Sequence, residues 1–292
     1  TPYGFRVMGS TLGTSQDWIY IAIRAGSFNL PESVSEVYEQ TVEQSASGTV
    51  IPTGFPVDML LQCLPTLGSQ HLLNHSVSTR LTGFNDYDSS LATNSTTDEA
   101  SIEVAEGLDS NTSYKVAGEY GSTNFVKLHH AFKRAKGCFD VAPYRGDDEY
   151  PLYHNLGVVP EMIWVKSRNV QKNWVVYHKD LGNSGHMEID NTAAANTSSS
   201  AWDTTTPTDQ KFTVSNYLSQ QNETYLALLF ASLDGVSKVG SVSHSCTTTV
   251  DCGFSAGTAY LILKRTNGTD DWRAFHGIHS DDDYYMRLNF NG

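Results

Sequence analysis

His154-Asn155-Leu156-Gly157-Val158-Val159-Pro160-Glu161-Met162-Ile163-Trp164-Val165-Lys166 is the stretch that decides the fold. A turn built on Gly157 and Pro160 runs into a short β-branched and aromatic segment, which reads as a strand entered from a turn. The same order recurs twice. Thr53-Gly54-Phe55-Pro56-Val57-Asp58-Met59-Leu60-Leu61 precedes it, and Asp251-Cys252-Gly253-Phe254, running on to Tyr260-Leu261-Ile262-Leu263-Lys264, follows. Gly54, Gly157 and Gly253 stand 103 and 96 residues apart.

Three further blocks keep step with the first. Trp174-Val175-Val176-Tyr177-His178 matches Trp272-Arg273-Ala274-Phe275-His276, with a degenerate copy near Leu72-Leu73-Asn74-His75. Leu91-Ala92-Thr93-Asn94 matches Met187-Glu188-Ile189-Asp190 and Met286-Arg287-Leu288-Asn289. A closing block comprises Trp18-Ile19-Tyr20-Ile21-Ala22-Ile23-Arg24, then 125–132, then Tyr225-Leu226-Ala227-Leu228-Leu229-Phe230, with Ile23, Phe132 and Phe230 equivalent. Four blocks in one order at a spacing of 96–109 residues define an internal repeat. The expected organisation is the end of a module plus linker over 1–36, complete modules over 37–136 and 137–236, and the first part of a further module over 237–292. The order is cut at both ends. This predicts either further chain or strands donated by a neighbouring chain.

Within 137–236 strands are expected near 138–143, 150–155, 160–167, 172–179, 186–191, 210–215 and 224–231, each bounded by Gly, Pro, Asn, Asp or Ser. Seven strands in about a hundred residues is sandwich spacing. The fold class is therefore all-β, as tandem antiparallel β-sandwich modules of about 100 residues, stacked one after another. Continuously apolar runs such as 162–165 and 225–230 imply strands covered on both faces, the outer one by a loop or by the next module. The Thr- and Ser-rich segment 193–209 reads as a long surface loop with Trp202 as its one large apolar residue. Segment 31–50 reads as a linker with at most a short helical turn.

Bulk chemistry narrows the function. Of 292 residues 17% are charged, 39% hydrophobic and 11% aromatic, and the net charge is −13. A chain this rich in aromatics folds rather than staying disordered. Nucleic-acid binding needs a basic stripe, and the one basic cluster, Lys127, Lys133, Arg134 and Lys136, is short. No apolar run is long enough to insert in a membrane. Cys63, Cys138, Cys246 and Cys252 form no CxxC pair, and a disulfide across a hairpin between Cys246 and Cys252 is an alternative to free thiols.

No GxSxG, HExxH, P-loop or GxGxxG motif is present, so the chain is read as no enzyme, with no cofactor. The adjacent His129 and His130 would face opposite sides of a strand and cannot chelate together. His178 and His276 recur at one module position, which favours packing. His276 and His279 beside Asp281, Asp282 and Asp283 form the densest His/Asp group. The three aspartates are weak calcium candidates that lack the alternating spacing of a calcium loop. Trp202, Tyr284 and Tyr285 are the exposed aromatics expected to stack on a ligand such as a sugar.

The string Cys138-Phe139-Asp140-Val141, then 154–163, then Trp174 with Tyr177-His178, then Asn191-Thr192-Ala193-Ala194-Ala195 with Trp202 and Thr206-Pro207-Thr208, resembles tandem modules of tailed bacteriophages, marine phages especially. Gly235 to Ser241 leading to 251–254 resembles the junction to a next module. The usual Tyr-Thr-Gly-Asn-Gly turn is replaced here by Ser241-Val242-Ser243-His244-Ser245 and Pro143-Tyr144-Arg145-Gly146-Asp147. The resemblance implies a tail-fibre, appendage or capsid-surface protein located on the virion or outside the cell. Its implied partners are copies of itself, other virion proteins and a host surface glycan. It brings no catalytic residues. The alternatives are a secreted carbohydrate-binding module and a polysaccharide depolymerase, the latter requiring two close carboxylates in a groove.

Overall fold

Period-two apolar runs separated by turn residues make strands throughout this computed structural model. It describes residues 29–43, 48–63, 76–80, 90–99, 105–116, 127–146, 151–255, 257, 260–277 and 285–289. Among the described residues there is no α-helix. The first stretch of chain carries β1 (Tyr38–Glu43), β2 (Val50–Pro52), β3 (Met59–Cys63), β4 (Ser76–Thr79), β5 (Ser90–Ala92), β6 (Ala105–Gly107), β7 (Ser113–Val116) and β8 (Lys127–Phe132). The second carries β9 (Phe139–Gly146), β10 (Leu152–Tyr153), β11 (Met162–Ser167), β12 (Val175–His178), β13 (Met187–Glu188), β14 (Lys211–Phe212) and β15 (Glu223–Phe230). The third carries β16 (Tyr260–Lys264), β17 (Trp272–His276) and β18 (Tyr285–Arg287). Each of the seven runs expected within 137–236 holds one strand.

The first main sheet has the order β1-β8-β3-β4-β5 and the second β9-β15-β11-β12-β13, both antiparallel. In each, the first and last strands of the stretch pair, and the last lies against the third. Registers agree as well. Met59 faces Phe132 and Thr79, while Met162 faces Phe230 and His178. The third sheet, β16-β17-β18, sets Tyr260 opposite His276, the place that Met162 and His178 hold in the second. A small ribbon covers the outer side of each five-stranded sheet, β2-β7-β6 on the first and β10-β14 on the second.

Alternation along the central strands explains why they are apolar on both faces. In β11, Ile163 and Val165 point outward with Tyr225, Ala227 and Leu229 of β15, under a roof of Leu152, Leu156, Trp202 and Phe212. Trp164, Leu226 and Leu228 point inward. That inner face meets Met59, Leu61, Val77 and Leu91 of the first sheet and Trp272, Ala274 and Leu288 of the third, in one continuous core.

The modules are therefore not stacked end to end as the sequence reading had them. Three sheets turn their inner faces to a shared centre, and burial of that common surface is the main force holding them together. Equivalent bonds close the seams. The Trp174 indole N–H donates to the carbonyl of Ala92 (2.8 Å), and that of Trp272 to the carbonyl of Glu188 (2.7 Å). Glu99 N–H donates to Arg168 O, and Ala195 N–H to Thr266 O. Between first and third sheets, the Thr93 hydroxyl donates to Leu288 O at 2.8 Å.

Two readings of local structure are corrected. Segment 31–50 is not a linker: after a 3-10 turn at Val34–Glu36, capped by the Ser33 hydroxyl, it supplies β1 and the start of β2. Segment 193–209 is more than a surface loop. Its Ala201 and Trp202 are buried, and Trp202 plugs the outer face of the second sheet.

Candidate metal centre

The seam between the first and third sheets gathers Tyr38, Cys63, His130, Tyr260 and His276. His130 lies on β8 with its side chain inward, and His129, one residue earlier, points outward. His129 accepts at Nε2 from the Gln62 amide (3.0 Å), and its Nδ1 lies 2.8 Å from Tyr114 Oη. His130 Nδ1 lies 2.8 Å from Tyr38 Oη on β1, and its Nε2 lies 2.7 Å from Nδ1 of His276 at the end of β17. The Tyr38 hydroxyl also reaches Gln40 Oε1 at 3.5 Å. When that O–H donates to Gln40, its lone pair accepts the Nδ1–H of His130. The Nε2 lone pair of His130 is then left facing His276.

Cys63, the last residue of β3, completes the group. Its Sγ and one nitrogen each of His130 and His276 all lie within 4.8 Å of one another. Tyr260 stacks on His130 with ring centroids 4.0 Å apart, and its hydroxyl is buried with no hydrogen-bond partner among the described residues. Burial sets the charge states. It pushes the thiol of Cys63 and the hydroxyls of Tyr38 and Tyr260 up, and it lowers His130, which the neighbouring His276 and His129 lower further. His130 is thus neutral at physiological pH, the form that ligates metals.

One thiol and two imidazoles are a ligand set for a borderline cation such as Zn2+. Two nitrogens on one tetrahedral zinc stand about 3.3 Å apart, given Zn–N bonds of about 2.0–2.1 Å. The His130–His276 pair would open by roughly half an ångström from 2.7 Å to admit it. Tyr38 behind His130 is the outer hydrogen-bond partner that such ligands require.

A profile of the domain of unknown function DUF7483 matches residues 129–286, more than half of the chain. The chain belongs to the DUF7483 family. No curated protein and no solved structure matches it. The DUF7483 span contains His130 and His276, whereas Cys63 lies before it.

Of the residues singled out from the sequence of this DUF7483 chain, His130 and His276 meet in this group. Trp202 is not exposed: at 1% exposure it is held by Tyr177 edge-to-face and by an indole bond to Gly185 O at 3.0 Å. The expectation that it stacks on a ligand is overturned, because both faces of the indole are in the core. Asp281, Asp282, Asp283, Tyr284 and His279 lie outside the described residues, and of Tyr285 only the backbone, in β18, is described. Cys246 is exposed, Cys252 half-buried, and both are free thiols. Arg134, of the basic cluster, is committed to the buried Asp140 at 2.6 Å. His178 is buried beside Asp180. Cys63 went unnoticed in the sequence because its partners are 67 and 213 residues away.

Proposed function

We propose that this chain is a structural component of a tailed-phage virion, a non-enzymatic scaffold that presents loops and assembles with copies of itself and other virion proteins. The observation that carries the scaffold reading is the single core shared by three sheets, which fixes each sheet against two others. Loops held on so constrained a frame suit recognition. The resemblance of 138–208 to phage modules supplies the virion setting, and the net charge of −13 suits a particle surface better than a nucleic-acid contact. The sugar-binding alternative loses Trp202, which belongs to the core. Within this scaffold the Cys63–His130–His276 group would supply three ligands to a zinc ion bridging the first sheet and the third. Mass spectrometry of density-banded particles tests the reading. Peptides of this chain should band with the capsid proteins in fixed ratio. Recovery only in the soluble lysate would contradict it.

A further inference from the structure

Three residues of the seam between the first and third sheets depart from what the other modules carry at the same positions. His130 is the counterpart of Leu228, since Leu61 faces the one and Trp164 the other. Tyr260, opposite His276, holds the place of Met59, opposite Thr79, and of Met162, opposite His178. Cys63 follows Met59 at the distance at which Lys166 follows Met162 and Lys264 follows Tyr260. Leucine, methionine and lysine positions have thus become imidazole, phenol and thiol at one place. Each change adds a group able to ligate a metal.

The imidazoles and the thiol form the ligand group already described, and the phenol adjoins it. The Tyr260 ring lies against both imidazoles, with centroids 4.0 Å from His130 and 5.3 Å from His276. The ionisable groups whose charge acts on its hydroxyl are Cys63 and Tyr38. That hydroxyl is buried without a hydrogen-bond partner among the described residues, a costly arrangement unless a bound group takes it up. Tyr38 is engaged differently, through its hydroxyl with Nδ1 of His130 at 2.8 Å.

We propose that Tyr260, as a phenolate, is the fourth ligand of a zinc ion held by Cys63 Sγ, His130 Nε2 and His276 Nδ1. This rests on the zinc reading of that group. Zinc in a structural site takes four ligands in a tetrahedron, and thiol and imidazoles fill three places. They also leave a net charge, because one thiolate and two neutral imidazoles offset only half the charge of Zn2+. A net charge inside an apolar core is costly, and a phenolate cancels it. The Zn–S and Zn–O bonds form as the thiol and phenol protons pass to solvent. The imidazoles, neutral at pH 7.5, release none. Tyr38 remains a phenol and orients His130 from behind.

Zinc titration of the metal-free full chain at pH 7.5 tests this. The ultraviolet difference spectrum should gain a tyrosinate band that saturates at about one equivalent of zinc. Calorimetry in two buffers of different ionisation enthalpy should give about two protons released per zinc. Tyr260→Phe, which keeps a ring against His130, should lose the band and bind zinc roughly tenfold or more weakly. Tyr38→Phe should keep the band. Zinc taken up by the unsubstituted chain with no tyrosinate band, or with a single proton released, would overturn the proposal while leaving the three-ligand site standing. A band that survives in Tyr260→Phe would overturn it as well. Failure of the unsubstituted chain to take up zinc at all would overturn the zinc reading and the Tyr260 assignment together.

Discussion

Asp190 and Asn289 do the same work in successive modules, and the pair yields a quantitative prediction. Asp190 Oδ1 accepts the backbone N–H of Trp174 at 2.9 Å, and Asn289 Oδ1 that of Trp272 at 2.8 Å. Asp190 is only 9% exposed, and burial lifts its carboxyl from 3.8 to about 6 despite the two backbone N–H groups and Lys166 that favour its charge. Between those values the folded state holds a proton that the unfolded state has released, so stability falls as pH rises from about 4 to about 6. Above pH 6 the folded chain carries the whole cost of a buried carboxylate. A shift of about two units corresponds to about 3 kcal/mol. Asp190→Asn keeps the acceptor and removes the charge. Lys166, whose ammonium donates to Thr96 O and Lys172 O, loses a nearby opposite charge, which offsets part of the gain. Urea unfolding at pH 7.5 should therefore show the variant more stable by about 1–3 kcal/mol, and at pH 4 indistinguishable within about 0.5 kcal/mol. Equal effects at the two pH values, or a loss at pH 7.5, would refute the electrostatic reasoning.

Other outcomes follow from single contacts. Purified protein should contain zinc near one equivalent, and Cys63→Ser or His276→Ala should abolish it, read by elemental analysis. Cobalt substitution of the native chain should give a thiolate-to-metal absorption band that Cys63→Ser removes. Trp202→Ala should destabilise by about 3–5 kcal/mol, because it empties the roof of the second sheet, while leaving binding of folded protein to host cells unchanged. Gly146→Ala should cost about 1–3 kcal/mol by chemical unfolding, since a methyl group there collides with the backbone of Gln220.

What could be read from the sequence was set by how local each signal is. The strands of 137–236 were legible because each short apolar run is bounded by turn residues within a few positions. Continuous apolarity in 162–165 and 225–230 correctly implied two covered faces, but it could not say that one of them meets two other modules. That depends on the seams from Trp174 to Ala92 and from Trp272 to Glu188. Strand β1 was read as linker because Tyr38–Glu43 is mostly polar, and it is fixed by pairing with Phe132 and its neighbours far along the chain. Trp202 was misread because its flanks are Thr, Ser and Ala, while the side chains that bury it, such as Tyr177, come from the sheet. The Cys63–His130–His276 group has no sequence motif, since it exists only where the first sheet meets the third.

The shared core is tested most directly by differential scanning calorimetry of the full chain. Because Trp164, Leu61 and Trp272 belong to one apolar cluster, no sheet can lose its inner face without exposing the others. A single cooperative transition is predicted, with calorimetric and van't Hoff enthalpies equal, and residues 137–236 alone should fail to show it. Two or three separate transitions, with 137–236 in isolation melting at its own full-chain temperature, would contradict the account.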